Sequence, residues 1–397
     1  MTFITDIVST YVLESDVSAI KEMSMLSAEI EGAVSLAWGL PSFRTPEYIR
    51  QGVKELLDTD IDAGKYTLPD GLPELRSLAV NEHRIKTGID IDADDNVMIS
   101  AGNMQALNTL FHTMLDPGDE IILTDPCFAS HIQQIKLFNG IPVYWPLDES
   151  NNWSLDIDRL PGLITDRTQA IVIVSPSNPT GKIFSEAELR RVGEIARQHD
   201  ILIIIDDPYS DFIYDNRERY FNLASVEALK GHMVYLYSFS KAYAMSGWRL
   251  SYMVMPAELK YQAMKVHDAT MICAPRISQL AGIIALGQPS DHKQRFANIL
   301  EKRRELICQR LLNVPHVFSF QKPEGAYYIF PKIVTEHASS REFAIGLLNE
   351  ARVTVTPGSA FGPSGEHHVR IAYCVDEDTI NLAFDRIEDY FQPLAIT

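Results

Sequence analysis

Cysteine is scarce in this sequence, with four residues among 397, and no two of them have C-x-x-C spacing. This scarcity excludes a disulfide framework or a zinc ribbon. Long hydrophobic runs are also missing, because the longest, residues 201–205, has only the length of a strand. Residues 1–10 carry neither the basic region nor the apolar core of a signal peptide, so we expect a cytoplasmic protein without membrane partners. The cysteines are Cys127, Cys273, Cys308 and Cys374.

Basic residues are also few. The chain has 35 Lys and Arg residues against 53 Asp and Glu residues, which gives a formal net charge of −18. This balance excludes a general binder of nucleic acid, which needs a basic stripe for the phosphate backbone. Hydrophobic residues at 46% and charged residues at 22% are typical of a globular protein, and the length allows a large domain and a smaller one.

Several motifs of common enzyme classes are absent. The P-loop pattern fails around Gly181-Lys182, because Pro176 stands where its first glycine is required. No G-x-G-x-x-G follows a predicted strand, and no G-x-S-x-G is present. His367 and His368 are adjacent instead of one helical turn apart, so we expect no metal site.

The middle of the chain alternates short apolar runs with helical patterns. Residues 170–174 and 201–206 are apolar on both faces, which is typical of parallel strands covered by helices on both sides. Helical patterns lie between the runs, so the sequence predicts a doubly wound α/β domain with a mostly parallel seven-stranded sheet. The predicted strands are 96–100, 120–124, 142–145, 170–174, 201–206, 233–239 and 251–255, and the predicted helices between them include 103–115, 129–138 and 186–199.

The last two predicted strands are separated by about ten residues, which is too few for a parallel crossover. We therefore expect the final strand to run antiparallel at or near an edge of the sheet. Beyond residue 255 long helical patterns and short strands indicate a smaller α+β domain. We predict a large domain over residues 46–286, a small domain over 287–397, and an N-terminal segment, 1–45, that packs on the small domain.

A lysine follows one of the buried strands. Lys241 lies just beyond Ser238 and Ser240, with Arg249 eight residues further on. An isolated lysine at a strand end usually extends into solvent. Two hydroxyl groups and a guanidinium beside this one suit a phosphate dianion, and the amine is then able to form a Schiff base.

A neighbouring strand ends in Asp206, three residues before Tyr209. A carboxylate at a buried strand end needs a cationic partner, such as the protonated ring nitrogen of pyridoxal phosphate. The hydroxyl of Tyr209 would then donate to the phenolic oxygen of that cofactor. The alternative is that Asp206 only caps the following helix or loop.

Three further predicted strands end in residues that suit the same ligand. After the first, Gly102 permits close approach, and the N–H groups of Asn103 and Met104 would face an anion. Phe128 would stack on a flat ring, although a lone aromatic residue is more often part of the core. Asn178 would bind the phenolate, or its Asn-Pro-Thr-Gly sequence is only a turn. Ligands of open α/β sheets bind at this carboxyl edge, where all these features fall.

These motifs resemble those of the class I and II aminotransferases, enzymes of fold type I that use pyridoxal 5'-phosphate. The resemblance covers nearly the whole chain, and the family motifs recur in order. They are the segment 38–46, Asn-Pro-Thr-Gly at 178–181, Asp-x-x-Tyr at 206–209, Ser-x-Ser-Lys at 238–241, Gly-Trp-Arg at 247–249 and the segment 370–373.

The resemblance implies a role for each matching residue. Lys241 is the Schiff-base lysine and general acid/base, Asp206 pairs with the pyridine nitrogen, and Phe128 stacks on the ring. Tyr209 and Asn178 contact the phenolic oxygen, while Gly39 and Arg370 hold the substrate carboxylate. Tyr66 reaches the phosphate of the neighbouring subunit, which implies a homodimer with shared sites. The phosphate ligands are Asn103, Met104, Ser238, Ser240 and Arg249.

Three positions depart from the family pattern. Asp207 replaces the glutamate that often follows the aspartate of Asp-x-x-Tyr, which is a mild change. His131 stands where many members have tyrosine and is either an ordinary surface or core histidine or a pocket residue. Arg276 replaces a small or hydroxyl residue, and it either enters the neighbouring subunit's site or only forms a salt bridge.

The function implied is an aminotransferase that moves the amino group of an L-amino acid to a 2-oxo acid. A second reading is an enzyme of the same fold that performs elimination or cyclisation on a hydroxylated or cationic amino acid in a biosynthetic pathway. Acidic residues such as Glu14 and Asp16 would bind the cationic side chain of such a substrate, or they lie on a solvated face. A third reading is a regulatory protein without turnover, which would need a DNA-binding extension that we do not find.

Overall fold

The computed structural model describes residues 7–13, 17–215 and 220–392. Glu14 and Asp16 lie outside these residues. Among the described residues no helix is long and apolar enough to cross a membrane.

A large twisted sheet forms the centre of the molecule. Its strands, in spatial order, are Val97–Ser100, Ser251–Val254, Met233–Ser238, Leu202–Asp207, Thr168–Ile173, Glu120–Asp125, Ile141–Asp148 and Ser154–Leu155. The five strands from Met233–Ser238 to Ile141–Asp148 are mutually parallel, and Ser251–Val254 runs antiparallel to both of its neighbours. The mostly parallel sheet and the antiparallel final strand are thus confirmed.

Each of the seven predicted strands is present. The eighth, Ser154–Leu155, has two residues and pairs with the end of Ile141–Asp148. A strand this short has no alternating pattern, so the sequence did not reveal it. Ser251–Val254 lies one strand in from the edge, because Val97–Ser100 covers it.

The sheet is buried on both faces. Ile203 and Ile205 belong to one hydrophobic core, while Ile204 between them belongs to another, as the two-residue period of a strand requires. Helices cover each face, which explains why these strands read as continuous apolar runs. One face carries the helices Glu47–Thr59, Pro73–Thr87, Glu186–Gln198 and Arg276–Gly287, and the other carries Asn103–Met114, Ala129–Leu137 and Ala257–Met271.

The C-terminal part has a hydrophobic core of its own. A small antiparallel sheet of Tyr328–Ile329, Val369–Ala372 and Thr356–Pro357 holds Arg370 opposite Thr356. Its helices are His292–Leu312, Ser340–Ala351 and Glu377–Phe391, and its remaining strands are Phe318–Ser319, Lys332–Ile333 and Val353–Thr354.

The N-terminal segment contacts this C-terminal part. Its strand Val34–Ser35 pairs in parallel with Val353–Thr354, and Met23 of the helix Ala19–Glu29 is buried in the same core. These contacts support the three-part division at residues 45 and 286, which stays a prediction. The remaining short helices are Thr10–Leu13, Ala93–Asn96, Leu160–Leu163 and Phe239–Ala242.

Candidate active site

Asp206 and Lys241 lie at the same edge of the large sheet. Asp206 is the second-last residue of the strand Leu202–Asp207 and pairs with Leu236 of the parallel neighbour Met233–Ser238. Lys241 follows that neighbour directly, in the short helix Phe239–Ala242. Because both strands run in the same direction, the carboxylate and the amine emerge at one crevice, where open α/β sheets bind ligands.

The amine of Lys241 is held by the backbone of the N-terminal segment. Its Nζ donates to the carbonyl of Gly39 at 2.8 Å, and the hydroxyl of Tyr327 donates to the same carbonyl at 3.2 Å. Burial lowers the pKa of Lys241 to about 8, and the nearby Arg370 and Arg249 act in the same direction. The neutral amine, which is the form that a nucleophile or base requires, is therefore much more populated near neutral pH than in an ordinary lysine.

The carboxylate of Asp206 is buried and accepts two hydrogen bonds. Asn103 Nδ2 donates to Oδ1 at 2.6 Å, and His131 Nε2 donates to Oδ2 at 2.9 Å. Neither partner is a lysine or an arginine, so Asp206 is not paired with a permanent cation among the described residues. A protonated ring nitrogen would supply the missing charge.

His131 lies beside Asp206. Its side chain is buried, and its ring meets that of Phe128 edge-on at 5.4 Å between centroids. His131 is therefore not a surface residue, and its role in a ligand pocket stays a prediction. The helix Ala129–Leu137 positions both rings, because it begins directly after Phe128.

Tyr209 is buried beside a second tyrosine. Its hydroxyl lies 3.0 Å from that of Tyr328, and burial raises the pKa of Tyr209 well above its ordinary value. The hydroxyl therefore keeps its proton and is available as a donor. Tyr328 also restricts Gly39, since a Cβ there would lie 1.9 Å from the Tyr328 hydroxyl oxygen.

Arg370 is a buried guanidinium. Nη1 donates to Asn178 Oδ1 at 3.1 Å, and Nη2 donates to the carbonyl of Ala37 at 2.6 Å. The rings of Tyr328 and Phe361 lie 4.5 and 4.9 Å from its Cζ. No carboxylate lies within 4 Å of it among the described residues, and its Nε has no hydrogen-bond partner there. An unpaired buried cation is costly, so this site suits an anionic ligand.

The guanidinium of Arg249 lies beside the start of the helix Asn103–Met114. Gly102, the N-cap of this helix, has φ +84°, and a Cβ added to it would lie 2.4 Å from Nη2 of Arg249. The first N–H groups of a helix have no intrahelical acceptor. Arg249 has no carboxylate partner among the described residues, and its Nη1 donates to the carbonyl of Ser246 at 2.9 Å. Ser238 and Ser240 are buried at the adjoining strand end, and Ser238 Oγ accepts from the N–H of Ser240 at 3.2 Å.

Three further candidate residues make other contacts or none in the crevice, and the ion pair of Arg276 is one of the two alternatives left open by the sequence. Met104 uses its carbonyl to accept from Gln134 Nε2 at 2.9 Å, and its side chain is partly exposed. Tyr66 is 75% exposed in the single chain, so its contact with a second subunit stays a prediction. Arg276 forms an ion pair of 3.3 Å with Asp60.

The sequence did not indicate the roles of two tyrosines, Tyr327 and Tyr328, or of the side chain of Asn103. Tyr327 and Tyr328 line the crevice from the small antiparallel sheet, and their only sequence signal was a Gly-Ala-Tyr-Tyr run. Asn103 was expected to use its backbone N–H, whereas its side chain also binds Asp206.

The fold is that of a fold type I enzyme of the α/β class, and its crevice holds the amine of Lys241, the buried carboxylate of Asp206 and the guanidinium groups of Arg370 and Arg249. A family model for aminotransferase class I and II matches residues 31–387. The chain therefore belongs to the class I and II aminotransferases, which depend on pyridoxal 5'-phosphate, and it is an aminotransferase.

Named relatives support this assignment. The chain is 35% identical to an aspartate aminotransferase of Pyrococcus horikoshii over 94% of both chains. It is 34% identical to aromatic-amino-acid aminotransferase 2 of Thermococcus litoralis, over 94% of this chain and 95% of the relative. A solved alanine aminotransferase from Pyrococcus furiosus superposes with a TM-score of 0.91 at 31% identity, covering 97% of this chain and all of that chain.

Proposed function

We propose that this enzyme binds pyridoxal 5'-phosphate at Lys241 and moves the amino group of an L-amino acid to a 2-oxo acid. The observation that carries the proposal is the arrangement of a partly buried amine and a buried carboxylate on adjacent strand ends, flanked by two guanidinium groups that have no carboxylate partner among the described residues. A phosphate and an α-carboxylate are the two anions that this arrangement suits.

The residues present fit the cofactor. Lys241 would hold it covalently through Nζ, and Asp206 would face its ring nitrogen. The N-terminus of the helix Asn103–Met114 and Arg249 would hold its phosphate. When bound, the cofactor supplies an electron-withdrawing ring that makes the Cα–H bond of the amino acid acidic. Phe128 would stack on that ring, Tyr209 and Asn178 would contact its phenolic oxygen, and Gly102, Met104, Ser238 and Ser240 would complete the phosphate site.

The substrate carboxylate would be held by Arg370, with Gly39 beside it. The guanidinium is already oriented by Asn178 and Ala37, so little rotamer freedom is lost when it binds a carboxylate. Fixing the carboxylate orients the rest of the amino acid toward the amine of Lys241.

Lys241 would move the proton. Its depressed pKa of about 8 keeps the amine ready to accept a proton from Cα near neutral pH. The carbonyl of Gly39 accepts a hydrogen bond from Nζ and so provides a resting position for the ammonium form. The ammonium group of Lys241 would then return the proton, so that this residue acts as both the base and the acid of a transamination.

We further propose a cytoplasmic homodimer. The exposed ring of Tyr66 supports a shared site, in which this residue reaches the phosphate of a second subunit. The four cysteines are free, which suits a reducing compartment. Sedimentation of the holoenzyme would test the dimer, and mixing inactive Lys241→Ala and Tyr66→Phe chains would test sharing through partial recovery of activity.

The reaction is tested by incubating the holoenzyme with single L-amino acids, with and without 2-oxoglutarate. We expect glutamate and the matching 2-oxo acid only when the acceptor is present. Product formed without any acceptor would instead support elimination or cyclisation. A spectrum that changes on substrate addition without product would contradict turnover.

A further inference from the structure

Asp125 is a buried carboxylate that the proposed reaction does not use. It ends the strand Glu120–Asp125, three residues before Phe128, and is 2% exposed. No Lys, Arg or His side chain lies within ion-pair distance of it among the described residues. Burying a carboxylate without a cation costs free energy, so a buried acid at this position suggests a specific role.

Among the described residues, every hydrogen bond to the side chain of Asp125 comes from one residue of the C-terminal part. Ser364 donates its N–H to Oδ2 at 3.1 Å and to Oδ1 at 3.2 Å, and its hydroxyl to Oδ2 at 2.7 Å. Burial raises the pKa of the Asp125 carboxyl, and the hydrogen bonds from Ser364 oppose this shift. Tyr144 and Cys127 are the other titratable groups that face it.

The backbone is shaped to allow this contact. Gly362 has φ +118°, and a Cβ there would lie 2.3 Å from Asp125 Oδ1. One residue earlier, the carbonyl of Phe361 accepts from the N–H of Cys127 at 2.8 Å. Residues 358–365 are therefore attached to the end of the strand at two points, 125 and 127.

The attached segment supports the guanidinium of Arg370. Phe361 is fully buried, and its ring centroid lies 4.9 Å from Arg370 Cζ. A shift of residues 358–365 would move this ring and leave one face of the guanidinium without its cation–π contact. The contact lies far from Asp125 in sequence but only one short turn from Ser364.

We propose that Asp125 is a positioning residue for Arg370, acting through Ser364 and Phe361 to fix the guanidinium for the substrate carboxylate. This inference rests on the proposed role of Arg370. The strand Glu120–Asp125 would then have two roles, because it positions Phe128 beside the cofactor and, through Asp125, Arg370 beside the substrate.

The test compares Asp125→Ala, Asp125→Asn and Ser364→Ala in the holoenzyme. We expect Asp125→Ala to raise KM for the amino acid about tenfold with kcat changed less than about threefold, because only the ordering of Arg370 is lost. Asp125→Asn keeps one acceptor oxygen, so its KM should lie between those of the wild type and Asp125→Ala. The KM of Ser364→Ala should also lie between these two values. A loss confined to kcat or to cofactor affinity would overturn the proposal.

A double-mutant cycle separates positioning from general damage. In an Arg370→Lys background, Asp125→Ala should raise KM less than about twofold, because the fork that it orders is already gone. If the effects of the two substitutions on KM multiply in the double variant, Asp125 does not act through Arg370. If Asp125→Ala does not fold, Ser364→Ala in the same cycle decides.

A binding measurement keeps this inference distinct from the reaction. Propionate has a carboxylate and no amino group, so its dissociation constant, followed by the cofactor absorbance, reports on Arg370 without turnover. We expect weaker propionate binding in Asp125→Ala by the same factor as KM. Wild-type protein that binds propionate but makes no glutamate would refute the proposed reaction alone, and unchanged propionate binding in Asp125→Ala would refute this inference alone.

Discussion

His131 Nε2 donates a hydrogen bond of 2.9 Å to Oδ2 of Asp206, and both side chains are buried. The second carboxylate oxygen is bound by Asn103, so the acid is fixed from two sides. A carboxylate held in this way keeps its orientation toward a cation placed in the crevice.

The first prediction concerns His131. His131→Phe removes one hydrogen bond to a charged group, worth about 1.5–3 kcal/mol, so kcat should fall at least about tenfold. His131→Gln offers an amide donor and should recover part of the loss. The steady-state kcat and the visible absorbance of the holoenzyme measure this. Equal activity of the Phe and Gln variants would contradict the role.

The second prediction concerns the protonation of Lys241. Only the neutral amine reacts with an aldehyde, so binding of pyridoxal 5'-phosphate to the apoenzyme should accelerate as pH rises and level off above about 8. Stopped-flow absorbance measures the rate. Lys241→Ala should not show the visible absorbance band of the bound cofactor at any pH. A retained band would show that another lysine reacts.

The same shift in the pKa of Lys241 affects the stability of the apoenzyme. The unfolded amine keeps its proton up to about 10.5, whereas the folded amine loses it near 8. The unfolded state thus binds more protons between these values, and the free energy of unfolding should rise with pH across this window. Urea titrations of the wild type and of Lys241→Met compare the slopes, and equal slopes would contradict the shift.

The third prediction separates substrate from cofactor binding. Arg370→Ala should raise KM for the amino acid about 100-fold, since a charged, bidentate partner of the carboxylate is lost. Affinity for pyridoxal 5'-phosphate should change little. Arg370→Lys keeps the charge without the fork and should lie between. Equal losses of both affinities would contradict the assignment.

The fourth prediction concerns the phosphate site. Gly102→Ala places a Cβ against the guanidinium of Arg249 at a backbone angle that disfavours side chains, so cofactor affinity should fall about tenfold or more. Gly346→Ala is a matched control, because no atom lies within 4 Å of its added Cβ. Fluorescence titration of the apoenzyme measures both. An unchanged affinity in Gly102→Ala would place the phosphate elsewhere.

The fifth prediction concerns Arg276. Arg276 and its partner Asp60 are each only about one-fifth exposed, so Arg276→Ala leaves a largely buried carboxylate without its cation and should lower the free energy of unfolding by about 1–3 kcal/mol. The ratio of kcat/KM for aspartate to that for alanine should not change. A selective loss with aspartate would instead show that Arg276 binds the distal carboxylate of a substrate.

The sequence predicted the sheet, and the strand ends at which Lys241 and Asp206 lie, because those signals are local. Lys241, Asp206 and Asn178 each follow directly on an apolar run, and parallel strands place such residues together without any knowledge of side-chain contacts. The direction of the final strand followed from the length of one connection.

Contacts between distant segments were not predictable in this way. Arg276 pairs with a residue 216 positions away, and Tyr209 meets Tyr328 from the other side of the crevice. His131 sits on a helix where either face was possible, so its orientation depended on packing that one sequence does not record. The strand Ser154–Leu155 was too short to leave a pattern.

Three consecutive backbone positions carry a consequence for enzyme engineering. The carbonyl of Ala37 receives Arg370, and the carbonyl of Gly39 receives Lys241. Between them, the side chain of Trp38 is half exposed, and its ring centroid lies 4.2 Å from Nζ of Lys21. A saturation library at position 38 would thus vary an exposed side chain while the peptide groups on either side keep their partners, which makes it a favourable starting point for altering donor range by directed evolution.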